Sequence, residues 1–320
     1  MKTEYVSCPL CKENEYSIIS KGYDYELDSS DNEFQVVECT NCGLIRLNPR
    51  PTQSELKIIY PENYSCYQID TYFNPFLNIV RIVLQKRFIR QIKKYVDKDV
   101  SILDVGCGSG ELLSLLKEHG DKNWYLAGND INIGSKECLN INGIDFLPGR
   151  FEDIDYKIGT WKVIIMQGVI EHLSDVDSTL DSIYTMLSED GILIIVTPNT
   201  NCWDRKIFEK KYWGQWHFPR HWTLYNQNLI KQHLQEHGIK VIKNTPMLSP
   251  WSWIRSLENR FADRKSSKIV RKFFTMNNVL LIVFFTLINF FQIIFSQSSA
   301  NMFIVAKKQR NEKNHEDHQD

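Results

Sequence analysis

At 320 residues, with 42% hydrophobic and 24% charged residues, the chain has room for one full α/β domain and one or two small additions. A formal net charge of -1 excludes the basic surplus that nucleic-acid binding uses, so no nucleic-acid partner is expected. The opening stretch MKTEYVSCPLCKENEY lacks the apolar core of a secretory leader, and eight cysteines without an export signal point to a reducing, cytoplasmic setting.

Four of those cysteines lie in two pairs, Cys8-x2-Cys11 and Cys39-x2-Cys42, separated by 27 residues. Each knuckle aims two thiolates at one point, and two knuckles complete a tetrahedral shell, so residues 1–50 are expected to form a ribbon around a structural Zn2+. A hairpin through EFQVVEC fills the gap. Residues 51–97 then form a helical connector. Its helix is expected to bury Phe76, Val80, Val83, Leu84, Ile92 and Val96 and to expose Arg81, Lys86, Arg87, Arg90, Lys93 and Lys94.

Residues 98–246 alternate short apolar runs (VSILDVG, WYLAGND, IDFLPG, WKVIIMQG, GILIIVTPN, IKVIKN) with helical patterns such as DVDSTLDSIYTMLSED. Continuous apolar strands separated by helices imply a parallel sheet covered on both faces. The first run turns through Asp104-Val-Gly106-Cys-Gly108-Ser-Gly110 into a helix. A dinucleotide fingerprint needs its third glycine at position 111, where this chain has Glu111, a carboxylate that repels a pyrophosphate. Asp130, 20 residues after Gly110, ends the second strand, where it can take both hydroxyls of a ribose. The pair favours an adenosine without phosphates over a nicotinamide dinucleotide.

In these motifs the chain resembles class I methyltransferases dependent on S-adenosylmethionine (SAM). LDVGCGSG, LAGNDI and LSEDGILIIVTPN are similar to the family's sheet motifs, and MQGVIEHLSD to the stretch after its fourth strand. CTNCGLIRLNPRPTQSELKIIYPENY resembles a zinc-ribbon leader of bacterial members associated with polysaccharide biosynthesis. The resemblance implies a Rossmann-like, seven-stranded α/β sheet. It also implies a SAM site in which Asp104, Gly106, Gly108 and Gly110 surround the methionine and ribose, and Asp130 holds the ribose. Ile131, Phe151 and Glu152 would lie near the adenine, and Gln167 would face the methionine end. Arg150 stands where many relatives have an acidic residue.

Methyl transfer to a hydroxyl needs a base. His172 is the first candidate, with Glu171 beside it and His217 and His221 as alternatives; equally, His172 could simply pack its helix. In the aromatic run KKYWGQWHFPRHWTLYN, Trp213, Trp216 and Trp222 are expected to stack on a sugar ring and Arg220 to hold a phosphate or carboxylate. The expected acceptor is a small-molecule or lipid-linked saccharide, with a quinone-type aromatic as the alternative. A nicotinamide oxidoreductase and a non-catalytic SAM-binding module are the other readings.

Residues 247–299 read as an insertion before a last strand at 300–309. Its stretch 255–272 has seven Lys/Arg against two Asp/Glu and leads into VLLIVFFTLINFFQIIF. On a helix, Asn278, Thr286, Asn289, Gln292 and Ser296 fall on one stripe, which suits a helix lying in a membrane interface or packed on a neighbour. If that helix crossed a bilayer the last strand could not rejoin the sheet, so the expectation is peripheral attachment to an anionic membrane at its cytoplasmic face. The tail 310–320 is expected to be disordered.

Overall fold

A computed structural model describes residues 1–61, 64, 75–96, 98–132, 139–140, 143–154 and 159–309. The first fifty-one residues carry β1 (Thr3–Glu4), β2 (Tyr16–Gly22), β3 (Phe34–Cys39), β4 (Ile45–Leu47) and β5 (Arg50–Pro51). Helices α1 (Leu56–Ile59) and α2 (Pro75–Ile92) follow. The buried residues of α2 and its C-terminal flank include Phe88, Ile89 and Ile92, while Val83 and Leu84 are exposed. The expected buried face is therefore corrected at Val83 and Leu84, while Ile92 is buried as expected and Val96 is half-buried. The expectation for the side chains of Phe76, Val80 and Arg81, like that for the tail 310–320, lies outside the described residues.

The central sheet contains β6 (Ser101–Val105), β7 (Tyr125–Asp130), β8 (Asp145–Pro148), β9 (Trp161–Gln167), β10 (Leu187–Pro198), β12 (Ile239–Met247) and β13 (Asn301–Lys308). Their order is β12-β13-β10-β9-β6-β7-β8. Only β13 runs against its neighbours; the other adjacent pairs are parallel. The inner strands are runs of Val, Ile, Leu and Met because both faces are covered. Helices α3 (Glu111–His119), α4 (Val176–Met186), α5 (Trp203–Phe208) and α6 (Gln227–Glu236) lie between them in sequence. In α4 the Asp175 carboxylate caps the helix by accepting from the Ser178 amide, and Val176, Leu180 and Ile183 supply the buried stripe. β10 begins at Leu187, four residues before the expected run, because Leu187 already pairs with Trp161 ahead of an irregularity.

The N-terminal sheet is not packed on its own. Its order is β11-β4-β3-β2, and the outer strand β11 (Thr223–Leu224) comes from the aromatic run. Cys8, Leu10, Cys39 and Leu44 share one apolar cluster with Ile170, Leu173, Val176 and Tyr225.

The insertion folds as α7 (Pro250–Asp263), α8 (Lys268–Phe273) and α9 (Val279–Ser296). α9 is apolar and long enough to cross a membrane by length and composition. Of its polar stripe, Asn289 and Gln292 are fully buried, Asn278 and Thr286 half-buried and Ser296 exposed, and Asn289 Oδ1 accepts from the Ser249 amide at 2.7 Å. Trp253 of α7 stacks on Phe285, with ring centroids 5.5 Å apart. The opposite face carries Leu280, Phe284, Leu287, Phe291, Ile294 and Phe295 at helical spacing, exposed by 52–75%. Five residues after α9 ends, β13 begins in the sheet, so both ends of the helix belong to one packed body.

Candidate active site

The glycine turn leaves β6 with Gly106, Gly108 and Gly110 all in the left-handed region, at φ of 67°, 54° and 77°. A Cβ on Gly106 would meet Val169 Cγ2 at 2.6 Å, so turn and strand-four loop close together only over bare backbone. Gly110 serves packing instead: a Cβ there would meet Leu139 Cδ2 at 2.5 Å. The turn feeds straight onto Asp130, whose Oδ2 accepts from the Gly108 amide and Oδ1 from the Asn132 amide, both at 2.8 Å. The Ile131 amide is a third donor to this carboxylate, and the acceptor capacity that remains is available to a hydroxyl.

Burial pushes the Asp130 carboxyl above its ordinary range, although three backbone amides partly oppose this. Asp104, wholly enclosed, is pushed up to about 8 by burial and by the charge of Asp130. The Asp130 carboxyl, an acceptor at the tip of β7, repels a phosphate and favours a ligand that brings hydroxyl donors. The ribose of SAM meets that demand; a pyrophosphate does not.

A cavity of about 180 Å³ opens over this turn at the carboxyl ends of the parallel strands, where such sheets bind ligands. Gly106, Gly108, Asp130, Ile131, Phe151 and Glu152 all line it, as the motifs imply. Gly110 and Asp104 are not in its lining, and Gln167 faces a second cavity. The wall that sequence reasoning missed is Leu56, Tyr60 and Tyr64 of the connector; Trp222, expected to stack on the acceptor, lines this cavity instead. The two tyrosines of YPENY, set in an otherwise polar segment, were the available signal. Arg150 also lines the cavity and reaches the connector, donating to Gln53 Oε1 at 2.6 Å.

The second cavity, about 390 Å³, shares Tyr64, Gly168 and His172 with the first. Its walls include Gln167, Glu171, Thr197, His217 and His221. The Glu171 carboxyl is buried, accepts from Thr197 Oγ1 at 2.9 Å, and is pushed up to about 7 by burial. That value suits proton exchange at neutral pH. His172 differs. Its Nδ1 lies 2.9 Å from the Arg220 carbonyl and 2.8 Å from the Tyr60 hydroxyl, and burial beside His217 pushes its pKa down to about 3. His221 is likewise held well below its usual value by burial and its histidine neighbours, with Nδ1 2.8 Å from the Gln215 carbonyl. Of these three candidate bases, Glu171 is the one whose pKa lies near neutrality.

The aromatic run is corrected more sharply. Trp213 and Trp216 are fully buried, donating to Asp204 Oδ2 and to the Glu209 carbonyl, and cannot stack on a sugar. Arg220 is also buried and pairs two-pronged with Asp24 at 3.0 and 2.8 Å, so it has no free fork for an acceptor. Of the three tryptophans only Trp222 reaches a cavity.

In the N-terminal module the sulfurs of Cys8 and Cys42 are 3.5 Å apart and those of Cys11 and Cys39 3.4 Å, and all four gather within 4.8 Å. These separations are far above a disulfide bond and close to the roughly 3.8 Å between thiolates sharing a tetrahedral zinc.

Fold and cavities together define an α/β enzyme that binds an adenosine-bearing ligand at the tips of a sheet with one reversed strand. The chain belongs to the family described as "Methyltransferase domain", which matches residues 81–244, and is a SAM-dependent methyltransferase. It is similar to the ubiquinone biosynthesis O-methyltransferase of Bartonella bacilliformis, 24% identical over 176 residues, 50% of this chain and 69% of that one. The enzyme of the same name from Mesorhizobium japonicum is 27% identical over 132 residues, 40% of this chain and 53% of its own. The solved structure of phosphoethanolamine N-methyltransferase 2 from Haemonchus contortus, in complex with SAM, superimposes with a TM-score of 0.51. It is 14% identical, covers 92% of this chain and 69% of that one, and shares the fold.

Proposed function

We propose that the enzyme methylates a hydroxyl of a saccharide, most simply a lipid-linked one, at the cytoplasmic surface of an anionic membrane. The observation that carries this reading is the construction of the second cavity. One wall is the sheet edge with Gln167, Glu171 and Thr197; the other is the insertion, through Trp251, Ser252, Arg255 and Met276. The same insertion carries the exposed apolar ridge of α9 and, on α8, the exposed Arg271 and Lys272. A helix with an apolar outer face beside cationic side chains suits an interface of anionic lipid. The amide, hydroxyl and guanidinium groups of the lining match a polyhydroxyl acceptor better than an aromatic quinone.

SAM supplies the electrophilic methyl group. Asp130 would take the ribose hydroxyls, the backbone of Gly106 and Gly108 would lie along the methionine and ribose, and Ile131 and Phe151 would flank the adenine. The work left to the protein is to hold the acceptor oxygen in line and to remove its proton. The Glu171 carboxylate, reaching the acceptor cavity beside Gly168, is placed for that proton. Cys8, Cys11, Cys39 and Cys42 would hold one structural zinc, which fixes the module on which β11 and the cofactor wall are assembled.

The test is transfer of labelled methyl from SAM into lipid-linked saccharides extracted from membranes. Wild-type protein should label that fraction, and Glu171→Gln should cut turnover about 10²–10⁴-fold with SAM affinity unchanged. Label confined to quinones, or a fully active Glu171→Gln enzyme, would defeat the proposal.

A further inference from the structure

Three histidines meet in the acceptor cavity. A ring nitrogen of each of His172, His217 and His221 lies within 4.8 Å of one from each of the others. Ring centroids are 4.7 Å apart for His172–His221 and for His217–His221, and 6.2 Å for His172–His217.

What the other nitrogens do is more informative. A carbonyl oxygen can only accept, so the nitrogen facing it carries the proton. His172 Nδ1 faces the Arg220 carbonyl, and His221 Nδ1 faces the Gln215 carbonyl. His217 Nε2 is 2.7 Å from the Glu26 carboxylate. Each tautomer is thereby fixed from behind, leaving Nε2 of His172, Nε2 of His221 and Nδ1 of His217 as lone pairs, without a hydrogen bond among the described residues. Three acceptors gathered in one cavity wall can share a single positive partner.

Metal-bound histidines almost always donate their second nitrogen to a backbone carbonyl or carboxylate, as all three do here. Nitrogens on one tetrahedral ion at about 2.0–2.1 Å lie roughly 3.4 Å apart, so each has to move inward by less than about 1 Å.

We infer that His172, His217 and His221 form a second metal site, distinct from the four cysteines, that takes a borderline divalent cation such as Zn2+ and leaves a coordination position open to the acceptor. Imidazole ligands select Zn2+, Co2+ or Ni2+ over Mg2+ or Ca2+. The site sits where the two cavities join, since His172 lines both. A divalent cation held there would make a hydroxyl bound at the open position more acidic, and Glu171, adjacent to His172 in the chain, lies in the same cavity wall. The oxygen lone pair then forms the new C–O bond as the C–S bond breaks, its electrons staying on sulfur, and the thioether product leaves neutral. This role rests on the second cavity being the acceptor site; the metal site itself does not.

The experiment is metal analysis of the full-length protein, loaded with Zn2+ and then dialysed against metal-free buffer. Wild type should retain two equivalents, and His217→Ala/His221→Ala one, with SAM binding by calorimetry unchanged in the variant. If the variant does not fold, zinc-edge X-ray absorption of the wild type decides. A mixture of a sulfur shell and an imidazole shell supports the site, whereas a pure sulfur shell overturns it. Equal metal content in wild type and folded variant also overturns it. Two equivalents of zinc together with a fully active Glu171→Gln enzyme would keep the metal site and discard the acceptor reading.

Discussion

Gly106→Ala tests the geometry that joins cofactor turn and catalytic loop. The residue has a φ of 67°, where a side chain costs about 1–2 kcal/mol, and its new methyl would sit 2.6 Å from Val169 Cγ2. An overlap of that size adds about 1–3 kcal/mol of overpacking, so stability should fall by roughly 2–5 kcal/mol. Val169 lines the cofactor cavity, and the displaced side chain should move into it, weakening SAM binding by about tenfold or more, the equivalent of roughly 1.4 kcal/mol. The second substitution Val169→Ala removes the methyls that clash. The double variant should therefore regain SAM affinity while keeping the backbone cost, a split that a general loss of fold cannot produce. Calorimetric titration with SAM and urea unfolding of the four proteins measure both quantities. Wild-type stability and affinity in Gly106→Ala would refute the close approach, and complete recovery of stability in the double variant would refute the backbone strain.

Two further outcomes follow from the buried ion pair and the exposed helix. Burial raises the Asp24 carboxyl, but the two-pronged contact with Arg220 outweighs this and holds it below its ordinary value. Its contribution is therefore full above the unfolded pKa of about 3.9 and is lost as pH falls through the lower folded value. Asp24→Asn should cost about 3–5 kcal/mol at pH 7 by leaving Arg220 unpaired, and should flatten the loss of stability below about pH 4; unchanged urea midpoints at pH 7 and pH 3 would contradict this. On α9, Phe284, Phe291 and Phe295 are 55%, 52% and 75% exposed, leaving about 1–2 kcal/mol each to be gained by burial in lipid. Changing all three to Ser should weaken sedimentation with anionic vesicles roughly 10²–10⁴-fold, and high salt should weaken the wild type only partly; equal partitioning of the two proteins would remove the membrane reading.

The central sheet was legible because both of its faces are covered, which forces continuous runs such as VIIM in β9 and ILIIV in β10 that no surface strand could carry. The glycine turn and Asp130 were legible for a related reason: left-handed backbone and a buried acceptor leave few residue choices. The walls of the site were not. Tyr60 and Tyr64 reach the cofactor cavity because the connector folds back over the strand tips, and nothing local in YPENY says which surface it will cover. Trp213 and Trp216 look like a stacking platform in sequence, yet their indole N–H groups are satisfied by Asp204 and the Glu209 carbonyl inside the protein. Arg220 misled in the same way, since its partner Asp24 lies 196 residues away. A polar group declares its role only when its partner is known, and these partners are set by tertiary contacts.

The direction of α9 shows how one such partner decides a larger matter. The stripe of Asn289 and Gln292 could have faced water, with the apolar side buried, as in an ordinary surface helix. Asn289 instead accepts from the Ser249 amide at the start of α7 and from Ser299 Oγ at 3.1 Å, while its own amide donates to Gln292. Turning the helix over would strand these buried groups and the Ser249 amide without partners, at roughly 1–3 kcal/mol each. The polar network therefore holds the apolar ridge outward, away from the chain's own core. α7, against which α9 packs, also supplies Trp251, Ser252 and Arg255 to the second cavity, so the ridge and that cavity are built on one packed pair of helices.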